Sequence, residues 1–438
     1  MQQPFFELAD LIQSSLRGEE GFLARFSGEA SQFVRFNRSA VRQAGAVEQR
    51  YLSLELFRGK RHACQVITLT GADDREAVRG AVAQLRDVLA DTADDPHFLI
   101  NEVPQSTTRV LPSALPGEDE AVAAVVDAGK GHDLVGIYAA GPIHRGFANS
   151  YGQRNWDTVH AFSADLSFYL QSDKAVKVDH AGISWNRAAF DAKMMGAKSR
   201  LVALARSPKT ITPGAYRVFF APAAMEEIFS LMSWGGFSLA AEKTATTPLI
   251  RMVAEGARLD PRVTLTENIA EGLAPAFQSE GFVKPARVPL IEAGRYAGAL
   301  ASPRAAAEFN VVPNGADPGE SPVALDMAAG ELADADILKT LGTGIYVGNL
   351  WYLNYSDRNA CRLTGMTRFA TFWVENGEIA APLNVMRFDD TIYNMLGANL
   401  IALTAERDLR VSTSTYDSRS TGSMRLPGAV IADLAMTL

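Results

Sequence analysis

Apolar positions in the first hundred residues alternate between helical and strand-like spacing. They recur every three or four residues from Phe5 to Leu16, and again from Asp73, a possible cap, to about Leu89. This spacing predicts two amphipathic helices. Three segments between them alternate as strands do: 32–37, 51–57 and 62–70. Because Arg58-Gly59-Lys60 predicts a hairpin turn, a sheet meander covered by helices is expected, which indicates an α+β fold rather than a doubly wound parallel sheet.

The middle of the chain predicts a loop, a helix, a run of strands and a long helix. Residues 101–118 contain three prolines among Ser and Thr, which marks a loop or linker. A short helix is expected from Glu118 to Lys130. Strand-like segments between Leu134 and Trp185 are joined by pieces too short for crossover helices, so antiparallel pairing is expected. The helical pattern from Arg187 to Arg206 ends at Ser207-Pro208.

A buried strand at Tyr216–Ala221 is predicted to run directly into a helix that Pro222 begins. The apolar face of this helix consists of Met225, Ile228, Phe229 and Met232. The helix contains no His or Cys, and its two acids, Glu226 and Glu227, are adjacent and point in different directions. These residues on their own favour a packing helix over a metal-binding one.

The second half of the chain reads as mainly β. Apolar runs with strand character occur at 263–269, 286–294, 344–353, 369–379 and 408–416. Asn376-Gly377 lies between two such runs and predicts a tight hairpin. We therefore expect an N-terminal α+β domain over residues 1–210, with an antiparallel sheet and covering helices, and a mainly-β C-terminal domain over residues 211–438.

The composition of the chain limits where the protein can be located and which partners it can bind. The chain has 438 residues, of which 47% are apolar and 21% charged, and its net charge of −8 argues against a nucleic-acid-binding surface spread over the molecule. Its two cysteines exclude a disulfide framework. The first twenty residues do not resemble a signal peptide, and no apolar run is long enough to span a membrane. We expect a cytoplasmic protein with no membrane partner and no direct contact with nucleic acid.

Motifs with known chemistry are absent from the sequence. None of the six histidines has another histidine three to five residues away, and neither a phosphate-binding loop nor a Gly-x-Ser-x-Gly elbow is present. His160 and His180 lie on neighbouring predicted strands, so a metal pair is one hypothesis and ordinary structural histidines are the alternative. Cys361 lies among polar residues in a predicted loop with no base nearby, which favours a free cysteine without a catalytic role.

An aromatic cluster suggests where a peptide could bind. Its substrate-binding candidates are Tyr346, Asn349, Trp351 and Tyr352, with Tyr355 close by in the sequence. Rigid amphipathic side chains of this kind suit a peptide groove. The core of a β domain would use the same side chains, and that alternative stays open.

Three segments in this order resemble the TldD/PmbA family. They are FVRFNRSAVRQAG (33–45), SEGFVKPARVPLIEAGRYAGAL (279–300) and the stretch 342–396, which contains GTGIYVG, an aromatic-rich strand and ENGEI. The resemblance implies two domains and a peptidase that acts on unfolded peptides, in which a TldD-type subunit pairs with a TldE (PmbA) subunit. It implies that the TldD-type subunit binds zinc through a His-Glu-x-x-x-His helix and a further ligand near its C-terminus.

The chain departs from that zinc pattern. The helix expected at 225–235 reads MEEIFSLMSWG, with Ser230, Leu231 and Gly235 where ligands and base would fall, and the segment 412–428 has neither Cys nor His. A catalytic zinc needs three protein ligands and an open position. The chain therefore resembles the TldE (PmbA) type, and we assign it no catalytic residue and no metal ligand. Zinc is expected in a TldD-like partner.

Three hypotheses follow. The first is a subunit that forms a heterodimer with a TldD-like metallopeptidase and binds unfolded peptide against its C-terminal strands by strand addition. The second, from the name that PmbA also carries, is a non-enzymatic homodimer that regulates DNA gyrase. The third is a peptidase with an unrecognised metal site built from His144, His160 or His180.

Overall fold

Two β-sheets, one from each half of the chain, organise the protein. The computed structural model describes residues 1–171 and 174–437. Strands between residues 21 and 182 form a seven-stranded sheet, and strands between residues 214 and 436 form an eleven-stranded one. This arrangement confirms the predicted α+β class, with a mainly antiparallel N-terminal sheet, in which only the short pairing of residues 108–110 with 156–158 is parallel among the described strands, and a β-rich C-terminal half. Segment 205–213 links the two sheets; the division into two domains near residue 210 stays a prediction.

The first half contains four helices and seven strands within the described residues. In chain order they are α1 (Gln2–Ser15), β1 (Gly21–Asn37), β2 (Ala40–Arg58), β3 (Arg61–Thr68), α2 (Asp74–Asp91), β4 (Thr108–Val110), α3 (Glu118–Gly129), β5 (Asp133–Asn149), β6 (Arg154–Gln171), β7 (Lys174–Gly182) and α4 (Arg187–Leu204). The strand order is β3-β2-β1-β5-β6-β4, and β7 also pairs with β6. Strands β1 and β2 are much longer than their patterns predicted. Residues 40–48 of β2 are exposed on both faces and lose the alternation, whereas most residues of β1 before position 32 are buried.

The helices cover this sheet as their apolar stripes require. Helices α1 and α2 pack on a core that includes Phe26, Leu54 and Trp156, while α3 and α4 pack on a second core around Tyr138 and Phe162. The predicted cap at Asp73 is wrong in detail. Its side chain makes no capping bond, and the neighbouring Asp74 instead accepts hydrogen bonds from the backbone of residues 70 and 71.

The second half is mainly strand with short helices. Its elements are β8 (Gly214–Phe220), α5 (Pro222–Met232), α6 (Leu239–Lys243), α7 (Ile250–Glu255), β9 (Leu265–Glu267), β10 (Val288–Glu292), β11 (Arg295–Tyr296), α8 (Pro303–Glu308), β12 (Ala324–Met327), a 3-10 turn (Asp334–Asp336), α9 (Ile337–Leu341), β13 (Gly344–Asp357), β14 (Arg362–Glu375), β15 (Glu378–Pro382), β16 (Arg387–Thr391), a π-helical turn (Asn394–Ala398), β17 (Leu400–Val411) and β18 (Ser423–Met436). The predicted Asn376-Gly377 hairpin joins β14 and β15, with positive φ at both residues.

The last strand, β18, is the centre of the C-terminal sheet. It pairs with β8, β12, β16 and β17, and the pairings β18–β8–β13–β14–β16–β18 close a ring of five strands. Pro427 and a helix-like Ala-Asp-Leu-Ala stretch hide β18 in the sequence. Pro427 pairs with Arg407 at an irregularity in the ladder, one of the few places where a sheet tolerates proline. Helix α5 packs its apolar face into the main core of this half.

The segment between β17 and β18 reaches back to the N-terminal sheet. Arg419, which is 4% exposed, donates hydrogen bonds to the carbonyl oxygens of Gly141 (3.2 Å) and Ala161 (2.7 Å). The carbonyl of Asp417 accepts one from Gln49 (2.6 Å). Gly141 has φ +138, and a side chain there would meet the carbonyl oxygen of residue 30. Of the helices described here, none is both long and apolar enough to cross a membrane.

Candidate functional site

A cavity of about 380 Å³ lies where the two halves meet. Helix α4 and strand β7 form one side, and the β8–α5 junction, β13, β14, β17 and the 3-10 turn form the other. Its polar lining consists of Lys177, Asp179, Lys193, Arg200, Asp334, Tyr346, Asn349, Thr404, Glu406 and Asp408. It is therefore a mixed-charge site built from both sheets.

The strand–helix unit β8–α5 places the start of a helix in this cavity. Phe219 and Phe220 are buried, and the amide of Ala221 donates to the carbonyl of Val347 on β13 (3.0 Å). Pro222, whose ring favours the first helical turn, lines the cavity. The amino end of a helix is its positive end, so this junction favours negative charge in the adjoining space.

The basic side of the cavity comes mainly from one face of α4. Three residues at helical spacing share this face and line the cavity: Lys193, Gly196 and Arg200. Lys193 pairs with Asp408 (3.1 Å), and Arg200 donates a long hydrogen bond to the hydroxyl of Tyr346 (3.4 Å). The glycine at 196 leaves open space between the two cations.

The acidic side comes from β17 and the 3-10 turn. Glu406, Asp408 and Arg410 alternate along β17 and therefore share one face of the strand. Burial raises the pKa of Asp334, and the carboxylates of Glu406 and Asp408 raise it further. The cavity thus holds both cations and carboxylates, an arrangement suited to binding a charged, extended ligand.

Arg410 holds one lining residue of this site, Asp179, in an ion pair. It is 8% exposed and pairs with Glu226 on α5 (2.7 Å) and with Asp179 on β7. Burial would raise the pKa of Asp179, but the positive charges of Arg410 and Lys193 outweigh it and hold that pKa below its usual value. Sequence reasoning missed Arg410, although the period-two charges of Glu406, Asp408 and Arg410 were a visible signal.

The four substrate-binding candidates occupy two places. Tyr346 and Asn349 line the cavity, and the ring of Tyr346 packs against Phe219 (5.2 Å between centroids). Trp351 and Tyr352 lie further along β13, outside the cavity lining, and are 52% and 76% exposed. The core alternative is therefore wrong for these two residues. Trp351 instead stacks under the Arg368 guanidinium, 4.0 Å from its ring centre.

The three candidate histidines do not form a metal site within the described residues. His180 is opposite Ala164 in the β6–β7 ladder, four positions along β6 from His160, so the expectation that they meet is wrong. Burial lowers the pKa of His144 and of His180 to about 4. Across residues 1–171 and 174–437, no group of three or more His, Cys, Asp or Glu side chains could hold a metal ion.

Cys361 is a buried thiol rather than a member of an exposed polar loop. Burial raises its pKa to about 12, which disfavours the nucleophilic thiolate. Helix α5 ends at Met232, earlier than the expected 225–235; positions 230 and 231 on it hold Ser and Leu, Gly235 follows in the turn after it, and Leu231 is buried in the core. A zinc ion and its activating glutamate therefore do not fit the residues of this helix.

Comparison with known proteins agrees with the sequence resemblance. Residues 213–437, more than half of the chain, match the family model of the PmbA/TldA metallopeptidase C-terminal domain. No curated protein matches the chain.

Three solved structures share the fold over nearly the whole length. TldE from Thermococcus kodakarensis is 14% identical with a TM-score of 0.78, and the match covers 100% of both chains. Two proteins described as proposed modulators of DNA gyrase follow: one from Thermotoga maritima (14% identity, TM-score 0.77, 99% of this chain and 100% of the other) and one from Bacteroides thetaiotaomicron (16%, 0.76, 99% and 98%). At these identities the likeness establishes the fold alone. Because the family model covers more than half of the sequence, this chain belongs to the PmbA/TldD family.

Proposed function

We propose that this chain is the non-catalytic, TldE (PmbA)-type subunit of a cytoplasmic TldD/TldE-type zinc metallopeptidase that acts on unfolded peptides. Helix α5 carries the proposal. It offers Ser230 and Leu231, followed by Gly235 in the turn after the helix, where the family resemblance puts zinc ligands and base, and its Glu226 is paired with the buried Arg410. The zinc and the glutamate that activates water are therefore expected on a TldD-like partner. The full-length likeness to a TldE structure supports this assignment.

The chain's own contribution is peptide binding at the cavity between its two halves. Tyr346 and Asn349 on β13 provide aromatic and amide contacts, and the cations of α4 face the acidic residues of β17. Trp351 and Tyr352 extend the same strand as exposed aromatic surface. An unfolded peptide would lie along β13 and place its charged groups in the cavity.

The test is reconstitution with a TldD-like subunit that carries His-Glu-x-x-x-His. The two chains are co-expressed, and hydrolysis of an unfolded peptide is compared for the complex and for each chain alone. We expect the two chains to co-purify, and we expect hydrolysis of the peptide to require both of them. The proposal is contradicted if the TldD-like subunit does not bind this chain and hydrolyses the peptide at the same rate with and without it.

Variants on α4 separate peptide binding from assembly. Arg200→Ala removes a cavity cation, so KM for the peptide should rise about tenfold while co-purification is unchanged. Arg187→Ala is the matched control, because Arg187 lies on the same helix but pairs with Asp191 (2.9 Å) outside the cavity lining. Equal effects of the two substitutions would exclude the cavity as the peptide site.

A non-enzymatic regulatory homodimer of the gyrase-modulator type is the second candidate. Two similar structures carry that description, which is the observation in its favour. It predicts stable self-association together with an effect on gyrase supercoiling and none on any peptidase. The reconstitution experiment therefore distinguishes the two functions.

A further inference from the structure

A second cavity, of about 300 Å³, lies between the N-terminal sheet and residues 275–279 of the C-terminal half. Its lining from the sheet includes Arg25, Ser27, Tyr51, Ser53, Arg145 and Phe147. These residues alternate along their strands with Phe26 and Leu54, which pack under α1 and α2, so they lie on the other face of the sheet. We call this space the Arg145 cavity. It shares no lining residue with the cavity beside α4 and is therefore a separate site.

Arg145 brings an unpaired positive charge into this cavity. An arginine has five N–H donors, yet the Arg145 guanidinium donates one hydrogen bond, to the carbonyl of His144 (2.9 Å). Among the residues that the structure describes, no carboxylate lies within ion-pairing distance of it. Burial lowers the pKa of Arg145, and the charges of Glu29 and Asp157 oppose that shift. Because a partly buried cation without a counterion is costly, the cavity favours an anionic ligand.

The carboxylates nearest to Arg145 in the sheet are held by other partners. Asp157 lies opposite Arg145 in the β5–β6 ladder, but it pairs with Arg109 (2.5 Å). Glu29 on β1 accepts a hydrogen bond from the hydroxyl of Ser31 (2.7 Å). Neither acid can neutralise Arg145 without giving up these contacts.

The other charged residues of the lining are already compensated. Arg25 pairs with Glu55 (2.6 Å), and Asp317 pairs with Lys284 (2.7 Å). Arg145 is therefore the one lining charge that has no opposite partner in the described part of the chain. A single uncompensated positive charge suits a monoanion such as a carboxylate better than a phosphate dianion.

The residues around Arg145 fit a carboxylate that carries an apolar group. Ser27 faces Arg145 directly across the β1–β5 ladder, so its hydroxyl can donate to the same anion. A guanidinium recognises a carboxylate through two parallel hydrogen bonds. Phe147 and Phe277 belong to one apolar cluster and form part of the cavity wall. The site thus combines donors for the acid with a surface for its apolar part.

We propose that the Arg145 cavity binds the carboxylate of a small apolar acid. Arg145 and Ser27 donate to the carboxylate oxygens, and Phe147 and Phe277 contact the apolar group. The same chemistry is offered by a free carboxylic acid and by the C-terminal residue of a peptide. The inference does not depend on the proposed peptidase role, because it concerns a different cavity of this chain alone.

Calorimetric titration of the full chain tests the ligand class. The probes are 3-phenylpropionate, which represents a free acid, and N-acetylphenylalanine, which represents the end of a peptide, each beside its primary amide. At least one acid should bind about tenfold or more tightly than its amide. Preference for the first acid assigns the site to free acids, and preference for the second assigns it to peptide ends. Equal affinity for acid and amide, or no binding of either acid at millimolar concentration, overturns the proposal.

Variants of the donors test the site. Arg145→Gln should raise the dissociation constant of the acid about tenfold, and Ser27→Ala about threefold. Arg35→Gln is the matched control, because Arg35 is an exposed arginine of the same sheet outside the cavity lining. Since Arg145 has no ion pair to lose, the melting temperature of free Arg145→Gln should equal or exceed that of the parent, which separates lost binding from lost folding. If neither Arg145→Gln nor Ser27→Ala weakens binding relative to Arg35→Gln, the proposal is wrong.

Discussion

Two buried arginines from the C-terminal half hold the two sheets against each other. Arg410 lies between carboxylates of β7 and α5, and Arg419 inserts among the carbonyls of β5 and β6. The alternating charges of β17 place Arg410 on a charged face of its strand, but nothing in the sequence distinguishes either arginine from a surface one. Each is buried only because a distant part of the chain packs over it, and this is why sequence patterns did not identify them.

Removing Arg410 should destabilise the protein strongly. Arg410→Met leaves Asp179 and Glu226 close together without their cation, so we expect the free energy of unfolding to fall by about 3–5 kcal/mol in urea denaturation. Arg187→Ala, which breaks an exposed pair on α4, should cost less than about 0.5 kcal/mol. A loss below about 1 kcal/mol for Arg410→Met would mean that the pair contributes little.

Stability should fall as the pH is lowered from about 6.5 towards 4. Burial holds the pKa of His144 and His180 at about 4, whereas an unfolded histidine has a pKa near 6.5. In this window the unfolded chain binds protons that the folded chain does not, so acid favours unfolding.

The pH dependence is tested by substitution of His180, whose ring is surrounded by Phe162, Trp185 and Phe190. His180→Phe should reduce the slope of unfolding free energy against pH between 7 and 5, and adding His144→Gln should reduce it further. Slopes equal to that of the parent would show that these histidines do not cause the pH dependence.

At the scale of elements, short sequence patterns predicted the helices and turns that interactions between neighbouring residues determine. The apolar spacing of 225–232 and the position of Pro222 were sufficient for α5, and Asn376-Gly377 was sufficient for the β14–β15 hairpin. Strand β18 was missed, because its pairing with β8 spans some two hundred residues and leaves no short-range signal. Register between distant strands is a property of the packed molecule.

Only part of the candidate site was predicted, because it too depends on contacts between distant parts of the chain. Tyr346 and Asn349 were named from the aromatic cluster, and they line the cavity with residues of α4, β7 and β17 that are far away in sequence. Trp351 and Tyr352 were grouped with them by proximity along the chain. The β13–β14 ladder is irregular on both sides of Trp351, and Tyr352 has positive φ, so regular strand alternation does not apply to these two residues.

The segment 412–422 should depend on Arg419. Arg419→Ala leaves the carbonyls of Gly141 and Ala161 without this donor, so we expect a loss of about 2–3 kcal/mol in unfolding free energy and faster proteolysis within the segment. Tyr416→Ala is the control, since Tyr416 is 88% exposed in the same segment. If both variants resist protease like the parent, the arginine does not anchor the segment.

At the scale of the whole molecule, two sheets enclose a charged cavity beside a helix whose residues do not suit zinc. Under the proposed function the two tasks are separate: this chain would bind and position peptide, and a TldD-like partner would supply the metal. The family resemblance suggested this division, and the buried environment of α5 gives it a physical basis, because Leu231 and its apolar neighbours are core residues.

Zinc stoichiometry tests that division most directly. The metal content of this chain, purified alone and dialysed without chelator, is measured by elemental analysis beside that of its complex with a TldD-like subunit. The account predicts essentially no zinc in the chain alone and about one tightly held zinc per complex. About one zinc per chain in the isolated protein would contradict it, and would direct the search to a metal site elsewhere in the fold.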